Sequence, residues 1–197
     1  MPTLTSAQIA KMTSTQISQL TPMQIKALTT AEVASLTTKQ FGGLTSAQLG
    51  VLSAVQLHAL TAADLGKLAS GQAKGLTAAQ IGALTPAQVS GLSPALLSAL
   101  TTGQIGGLSS ADCGALTTAQ MRGFTTGAIK SLTVAQLGGL TVADVHALTV
   151  TQIGGLSAHQ LYGMYVNSHL KSWSALSTTQ VASLSSAQHQ GYLGVPS

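Results

Sequence analysis

A ladder of apolar residues runs along this chain at a spacing of eight. It begins at Leu4 and continues in phase to Met164, and the positions between its rungs are mostly small or polar. The residue after each rung is threonine or serine in nineteen of the twenty repeats from Thr5 to Ser157, with Ala69 as the exception. The pattern therefore indicates a tandem array of octapeptides. Repeats this short cannot bury a core alone, so the array is typical of a solenoid in which neighbours stack.

Each octapeptide predicts one short helix. In the first repeat, Thr5 and Gln8 have the S/T-x-x-Q spacing of a capping box, and Leu4 and Ile9 have the spacing of a hydrophobic staple. A helix of about 6–7 residues, starting after each threonine or serine, fits within one repeat. The predicted structural caps are Thr5 with Gln8, Thr21 with Gln24, Thr37 with Gln40, Thr85 with Gln88, Thr101 with Gln104, Thr117 with Gln120, Thr133 with Gln136 and Thr149 with Gln152.

Prolines and charges support the same helix boundaries. Three prolines directly follow a predicted cap, at the first helical position, where a missing N–H costs nothing: Pro22, Pro86 and Pro94. All four acidic residues occupy the third helical position: Glu32, Asp64, Asp112 and Asp144. Most cations lie in the second half of a repeat: Lys11, Lys26, Lys67, Lys74, Arg122 and Lys130. This polarity matches the helix dipole, which favours acids at the start and cations at the end.

Two other folds compete with short helices. In one continuous helix, a period of eight would require about 4.0 residues per turn instead of 3.6, so the leucine stripe would wind around the helix. A β-solenoid accommodates threonine and glycine, but alanine, glutamine and leucine are poor choices for strands. We therefore predict an all-α solenoid of very short capped helices with an 8-residue repeat, and keep a β-solenoid as the alternative.

A second period of sixteen residues is visible at the third helical position. Every other repeat has glutamine there, from Gln8 to Gln152, whereas the alternate repeats also carry acids, leucine or alanine. Glycine is found mostly at the end of the first helix type, because a helix C-terminus favours a residue that can adopt left-handed backbone angles. We predict a unit of two helices in which the first type's glutamine also reaches a neighbouring backbone and the second type's residue faces water. Recent duplication is the other explanation of the glutamine ladder.

The phase of the array is lost after Met164, because the next leucine in pattern is Leu176. We therefore predict an octapeptide solenoid over residues 1–156 and an irregular C-terminal capping segment over 157–197. Its first helix is predicted to run from Ser157 to about Lys171, roughly twice the usual length. Four of the six aromatic residues lie in this segment, Tyr162, Tyr165, Trp173 and Tyr192, so an aromatic binding patch is the alternative to a cap.

The composition gives little evidence for a catalytic or ligand-binding site. Only 6% of the residues are charged, and the net charge of +4 is spread without a basic run, which argues against a nucleic-acid partner. No apolar stretch reaches the ~18 residues that membrane insertion needs, and the N-terminus lacks the features of a signal peptide. Cys113 is expected in the core, and the histidines are scattered. We predict no catalytic, metal or cofactor site and no enzymatic activity.

The repeat L-T-x-x-Q-[ILV]-x-x, as in residues 76–83, resembles octapeptide tracts in large repetitive bacterial surface or secreted proteins. Such proteins are described as adhesin-like or as acting in haem utilisation. The resemblance covers about residues 4–163 and implies a secreted or cell-surface location. The chain lacks the glycine- and aspartate-rich repeats that bind calcium, and it has no haem-ligand motif.

These features favour a non-enzymatic structural role, as a rigid spacer or display scaffold. The alternative is a solenoid module that holds a protein or peptide on one face, along the variable row of Glu32, Asp64, Leu96, Asp112, Ala128 and Asp144. A third hypothesis is an ice-binding face that uses the threonines outside the caps: Thr30, Thr38, Thr102, Thr118 and Thr126. The exposed ends of the array also predict self-association by end-to-end stacking.

Overall fold

The computed structural model describes residues 5–167 and 176–193, and these residues form short helices without strands. The first half contains α1 Ser6–Ala10, α2 Ser14–Ser18, α3 Pro22–Lys26, α4 Thr30–Ala34, α5 Thr38–Gly42, α6 Ser46–Leu49, α7 Ala54–His58, α8 Ala62–Leu65, the 3-10 helix η1 Ser70–Gly75, α9 Ala78–Gly82 and α10 Pro86–Gly91. The second half contains α11 Pro94–Ser98, α12 Thr102–Ile105, α13 Ser110–Gly114, α14 Thr118–Gly123, α15 Thr126–Ser131, α16 Val134–Leu137, α17 Val142–Ala147, α18 Val150–Gly154, α19 Ala158–Asn167, α20 Thr178–Ala182 and α21 Ser186–Tyr192.

Each helix begins where the sequence predicts a cap. Thr37 has extended backbone angles, and its hydroxyl oxygen accepts a hydrogen bond from the backbone N–H of Gln40 at 3.3 Å. At the end of a helix the chain becomes extended again, as at Leu92 with φ −63° and ψ 137°. The extended leucine and the extended cap that follows it turn the chain into the next helix. The predicted all-α solenoid of short capped helices is therefore confirmed.

Three helices make one turn of the superhelix. Most helices pack on the helix that begins three repeats later: α2 on α5, α5 on α8, and α11 on α14. The same offset recurs along the array, so the helices form three stacked columns. The contacts repeat every three octapeptides, so the 16-residue period of two helix types is not the turn of the superhelix.

The core is one continuous column inside these turns. Two apolar ladders fill it, the leucine rungs and the fourth helical position, from Ile9 to Leu161. Residues at the fourth position are fully or almost fully buried, and most rungs lie within a few per cent of full burial. Cys113 belongs to the fourth-position ladder, as expected. Burial raises the pKa of its thiol to about 12, helped by the charges of Asp112 and Asp144, so this thiol stays protonated at neutral pH.

Glycine at the helix ends has a different cause from the one predicted. Gly43 and Gly155 have φ of −82° and −77°, so neither residue is left-handed. Other glycines of this ladder lie against the turn before them: a Cβ on Gly75 would come within 2.0 Å of the carbonyl oxygen of Ser46, and one on Gly107 within 2.2 Å of that of Ala78. Glycine is required there because the backbones of successive turns approach too closely for a side chain.

The stacking continues beyond the break in phase. Helix α19 is ten residues long, so the helix from Ser157 is longer than the others, while its predicted end at Lys171 lies outside the described residues. Helix α20 packs on α18 and α21 packs on α19, which continues the stack half a repeat out of phase. The boundary at residue 157 stays a prediction. Among the aromatics, Tyr192 is buried, Tyr162 is exposed, and Trp173 lies outside the described residues.

Candidate functional site

The glutamine at the third helical position joins each turn to the one before it. In α5, the side-chain oxygen of Gln40 accepts a hydrogen bond from the backbone N–H of Thr37 at 2.8 Å. Its side-chain nitrogen donates to the carbonyl oxygens of Ile9 and Met12, at 2.9 and 2.7 Å, in the preceding turn. One amide therefore caps its own helix and holds the turn below. We call this arrangement a glutamine corner.

Glutamine corners recur through most of the stack, from Gln40 onward. In each, the amide nitrogen donates to the carbonyl of a rung in the preceding turn, as from Gln88 to Leu60 at 2.7 Å and from Gln136 to Leu108 at 2.8 Å. The residues that form them are Gln40, Gln48, Gln56, Gln72, Gln80, Gln88, Gln104, Gln120, Gln136, Gln152 and Gln160. Beyond the break in phase, Gln180 and Gln188 donate in the same way to Leu148 and Leu156.

The structure separates the predicted cap pairs into two groups. All eight threonine–glutamine pairs form a capping box in their own helix. The six pairs from Thr37 and Gln40 onward also form the bond between turns, whereas no bond from the amide nitrogens of Gln8 and Gln24 is formed within the described residues.

Three glutamines of the alternate repeats also form corners. The sequence predicts that residues at this position in the second helix type face water, and for Gln48, Gln80 and Gln160 this prediction is wrong, because they are buried. Each of them donates to a carbonyl of the turn below, as Gln48 does to Leu20 at 2.7 Å. The same T-x-x-Q or S-x-x-Q spacing could have identified them.

Burial explains why the amide is well suited to this position. Gln48 and Gln120 are only 1% and 2% exposed, and no buried side-chain polar atom in the described residues lacks a hydrogen-bond partner. An unpaired buried polar group costs about 1–3 kcal/mol, so an apolar residue would leave the capped N–H and the lower carbonyls unsatisfied. Glutamine provides the acceptor and the donor in one side chain of the right length.

The corners are interrupted where the alternate repeats lack glutamine. Asp64 cannot donate to a carbonyl; it accepts from the backbone and hydroxyl of Thr61, at 2.9 and 2.6 Å, and from the hydroxyl of Thr38 in the turn below at 2.9 Å. Burial acts to raise the pKa of Asp64, but these hydrogen bonds outweigh it and lower the pKa below its usual value. A charged carboxylate thus links the two turns through a threonine side chain instead of a carbonyl.

The variable row does not lie along one face of the stack. Glu32, Asp64 and Leu96 follow one another at four repeats, which is one turn plus one helix, so they lie in three different columns. Leu96, Asp112, Ala128 and Asp144 are buried. The arrangement that would support a partner along this row is therefore absent from the described residues.

Charged side chains are sparse on the exposed surface. Lys26, Lys74 and Arg122 are exposed and share one column, but they follow one another at six repeats, or two turns. With helices about 8–10 Å apart, neighbouring cations are about 16–20 Å apart, beyond the distance at which they act together at physiological salt.

Within the described residues, no group of three or more His, Cys, Asp or Glu side chains could hold a metal ion. Nor is any described helix long and apolar enough to cross a membrane.

Ala69 is the one repeat position without a capping hydroxyl, and η1, which follows it, is a 3-10 helix. We expect Ala69→Thr to stabilise the chain by about 1 kcal/mol, because an N-cap hydroxyl is worth about 0.5–2 kcal/mol. The side chain of Ala69 is exposed, so threonine has room there. Thermal unfolding followed by circular dichroism measures the effect. Thr77→Ala is the reverse control and should destabilise by a similar amount; equal stability of all three proteins would contradict the role of the caps.

Tandem short helices, three to a turn and joined by glutamine corners, define a helical repeat solenoid. The ALTTAQ repeat family model matches residues 22–54, 57–94 and 95–126, which is just over half of the chain, and the chain belongs to the ALTTAQ repeat family. The sequence ALTTAQ, for which the family is named, occurs unchanged at residues 115–120. No curated protein matches the chain.

Proposed function

We propose that this structural repeat protein is a rigid spacer whose length is set by its number of turns. The observation that carries the proposal is the series of glutamine corners. Each corner fixes a turn to the previous one by hydrogen bonds near 2.8 Å, beside a continuous apolar core. Because three columns carry these bonds, bending or sliding at one turn would break several of them together.

The spacer length follows from the stacking distance. Packed helices are about 8–10 Å apart, so the roughly seven described turns give a rod of about 60–70 Å. A globular domain of the same chain length has a radius of gyration of about 16 Å, whereas a rod of this length and width has one of about 20 Å. The added length per residue is small, but it is regular, and each insertion of six repeats adds two turns and keeps the alternation of the two helix types.

Small-angle X-ray scattering on dilute protein tests the spacer. Duplicating residues 77–124 adds six repeats, or two turns, in phase with both periods, and should lengthen the maximum dimension by about 16–20 Å. Deleting the same segment is the matched variant and should shorten the maximum dimension by the same amount. A maximum dimension that does not follow the number of turns would overturn the proposal.

The location that we propose, secreted or at the surface of a bacterial cell, rests on the resemblance of the octapeptide to tracts in bacterial surface proteins. The low density of charge supports such a role, since it limits long-range attraction of unwanted partners. Digestion of intact source cells by an added protease tests it. Loss of the full-length chain from unbroken cells is expected, and complete protection that disappears on lysis would place the protein inside.

The two other hypotheses receive little support from the geometry. The variable row that a protein- or peptide-binding face would use is distributed over three columns and is largely buried. Of the threonines considered for ice binding, Thr30, Thr102 and Thr126 share a column, but alanines interrupt it at 54 and 78. Thermal hysteresis in a concentrated solution would decide the latter, and we expect none.

A further inference from the structure

Three glutamines of the first turn cap their own helices but form no bond to a preceding turn within the described residues. Gln8, Gln16 and Gln24 each accept a hydrogen bond from the backbone N–H of their own cap at 2.8 Å, as the later glutamines do. In the described residues their amide nitrogens meet no carbonyl, because no described turn precedes them, and Gln8 and Gln16 are exposed. The donors are already held in the orientation that binds a preceding turn everywhere else in the stack.

Among the described residues, the last turn offers one complementary pair of acceptors. Val181 and Leu184 occupy the positions whose carbonyls, in earlier turns, accept from a glutamine of the next turn, as Val89 and Leu92 accept from Gln120 at 2.9 and 2.7 Å. The internal bond from the N–H of Leu184 to the carbonyl of Val181, at 3.1 Å, matches that from Leu92 to Val89. An apolar cleft of about 530 Å³ lies beside these two carbonyls, and Leu176, Val181, Leu184 and Tyr192 are among the residues that line it.

The two ends therefore differ in hydrogen-bonding character. Donors at one end and acceptors at the other match only when the first turn of one molecule meets the last turn of another. Pairing two first turns would put donors against donors.

We propose that a second copy of this chain docks on the first turn, head to tail, and continues the stack. The interface repeats the contact that the chain already makes between its own turns, with Gln8, Gln16 and Gln24 as donors. Such a heterologous contact does not close on itself and produces filaments of increasing length. The proposal is independent of the spacer role, since a chain whose length failed to follow its number of turns could still assemble.

Sedimentation of the 197-residue chain tests assembly. Between about 1 µM and about 300 µM, a range that resolves micromolar association, the average mass should rise past that of a dimer. A chain that stays monomeric throughout, or stops at a dimer, overturns the proposal.

A triple substitution of the first-turn glutamines tests the donors. Glutamate keeps the cap, as Glu32 shows by accepting from the N–H of Thr29 at 2.8 Å, but it removes the amide nitrogen. The variant Q8E/Q16E/Q24E should associate at least about tenfold more weakly, with an unchanged circular dichroism spectrum and melting temperature. Association as strong as that of the unaltered chain would overturn the proposal.

Added charge is controlled on the same three helices. Ala7, Thr15 and Met23 are exposed at the second helical position, which points outward in later turns as well, as at Val55. The control variant A7E/T15E/M23E carries the same three carboxylates and should associate within about twofold of the unaltered chain. Equal weakening of both variants would show general charge repulsion and overturn the role of the glutamines.

A mixing experiment tests the head-to-tail geometry. The triple glutamate variant has a blocked first turn but an intact last turn, so it can join a filament at one end only. Adding it to the unaltered chain should lower the average mass by terminating filaments. An average mass equal to that of the unaltered protein alone at its own concentration would overturn the head-to-tail arrangement.

Discussion

Replacing Gly139 with alanine is expected to destabilise the solenoid by about 3 kcal/mol or more, at the upper end of the range for overpacking. The new Cβ would lie 2.0 Å from the carbonyl oxygen of Ser110 and 2.7 Å from its carbonyl carbon. Both atoms belong to the backbone at the start of α13, so no side chain can rotate away to make room. The turn that contains Gly139 would have to separate from the turn before it.

Gly154 supplies the matched control. A Cβ there meets nothing within 4 Å, and Gly154 is the last residue of α18. Gly154→Ala should therefore be neutral or stabilise by up to about 1 kcal/mol, because alanine loses less backbone entropy than glycine in a helix. Chemical denaturation of both variants measures the two free energies of unfolding. Similar values for the two would mean that the turns can separate at little cost and that close approach does not explain the glycine.

The glycines show which features the sequence can and cannot predict. Their alternation between repeats is visible in the sequence, and so are the caps, because both are local properties of one or two repeats. The number of helices per turn depends on contacts between helices three repeats apart, and no local pattern reports it. The two periods are compatible: a turn of three helices places each helix on one of the other type, so types alternate along every column.

This alternation explains the glycine ladder without a left-handed residue. Gly75, Gly91, Gly107 and Gly139 each lie against the first residue of a helix of the other type in the turn before. Where the types are exchanged, the same position carries a side chain, as in the series Ala83, Ala99 and Ala115. From the sequence alone, helix termination is the natural explanation of these glycines, because the neighbouring turn is not visible there.

The corners are half predictable for the same reason. The oxygen of the glutamine amide acts within its own repeat, so its role follows from the T-x-x-Q spacing. The nitrogen acts on a carbonyl of the preceding turn, and its target depends on the superhelix. Acids in the alternate repeats suggest a position in water for Gln48 and Gln80, but Asp112 and Asp144 at equivalent positions are themselves buried and bound to their caps.

Gln120→Glu is expected to destabilise the solenoid by about 3–5 kcal/mol at neutral pH, the range for an uncompensated buried charge. Gln120 is 2% exposed, and its amide nitrogen donates to the carbonyl oxygens of Val89 and Leu92. A glutamate keeps the hydrogen bond from the backbone N–H of Thr117, which is 2.7 Å long for the amide oxygen. Its second oxygen, however, would face those two carbonyl oxygens with a negative charge and no donor.

The pH dependence separates this effect from a packing defect. Burial against carbonyls raises the pKa of the new carboxyl in the folded state above its unfolded value of about 4.3. The folded variant then binds more protons than the unfolded one, so the penalty is present above the folded pKa and decreases as the pH falls toward about 4.3. The protonated acid can donate its O–H to one of the carbonyls. A gap between variant and parent that is constant with pH would contradict the electrostatic explanation.

Gln8→Glu is the control for the same chemical change without a turn below. Gln8 is exposed, and its amide oxygen caps Thr5 as that of Gln120 caps Thr117. We expect a change within about 0.5 kcal/mol, since surface substitutions away from special features are usually that small. Denaturation at concentrations too low for association measures the free energy of unfolding of both variants. It compares a glutamine that bonds to a preceding turn with one that caps only its own helix. A large effect at Gln120 and a small one at Gln8 would assign the difference to the bond between turns, and equal effects would assign it to the cap alone.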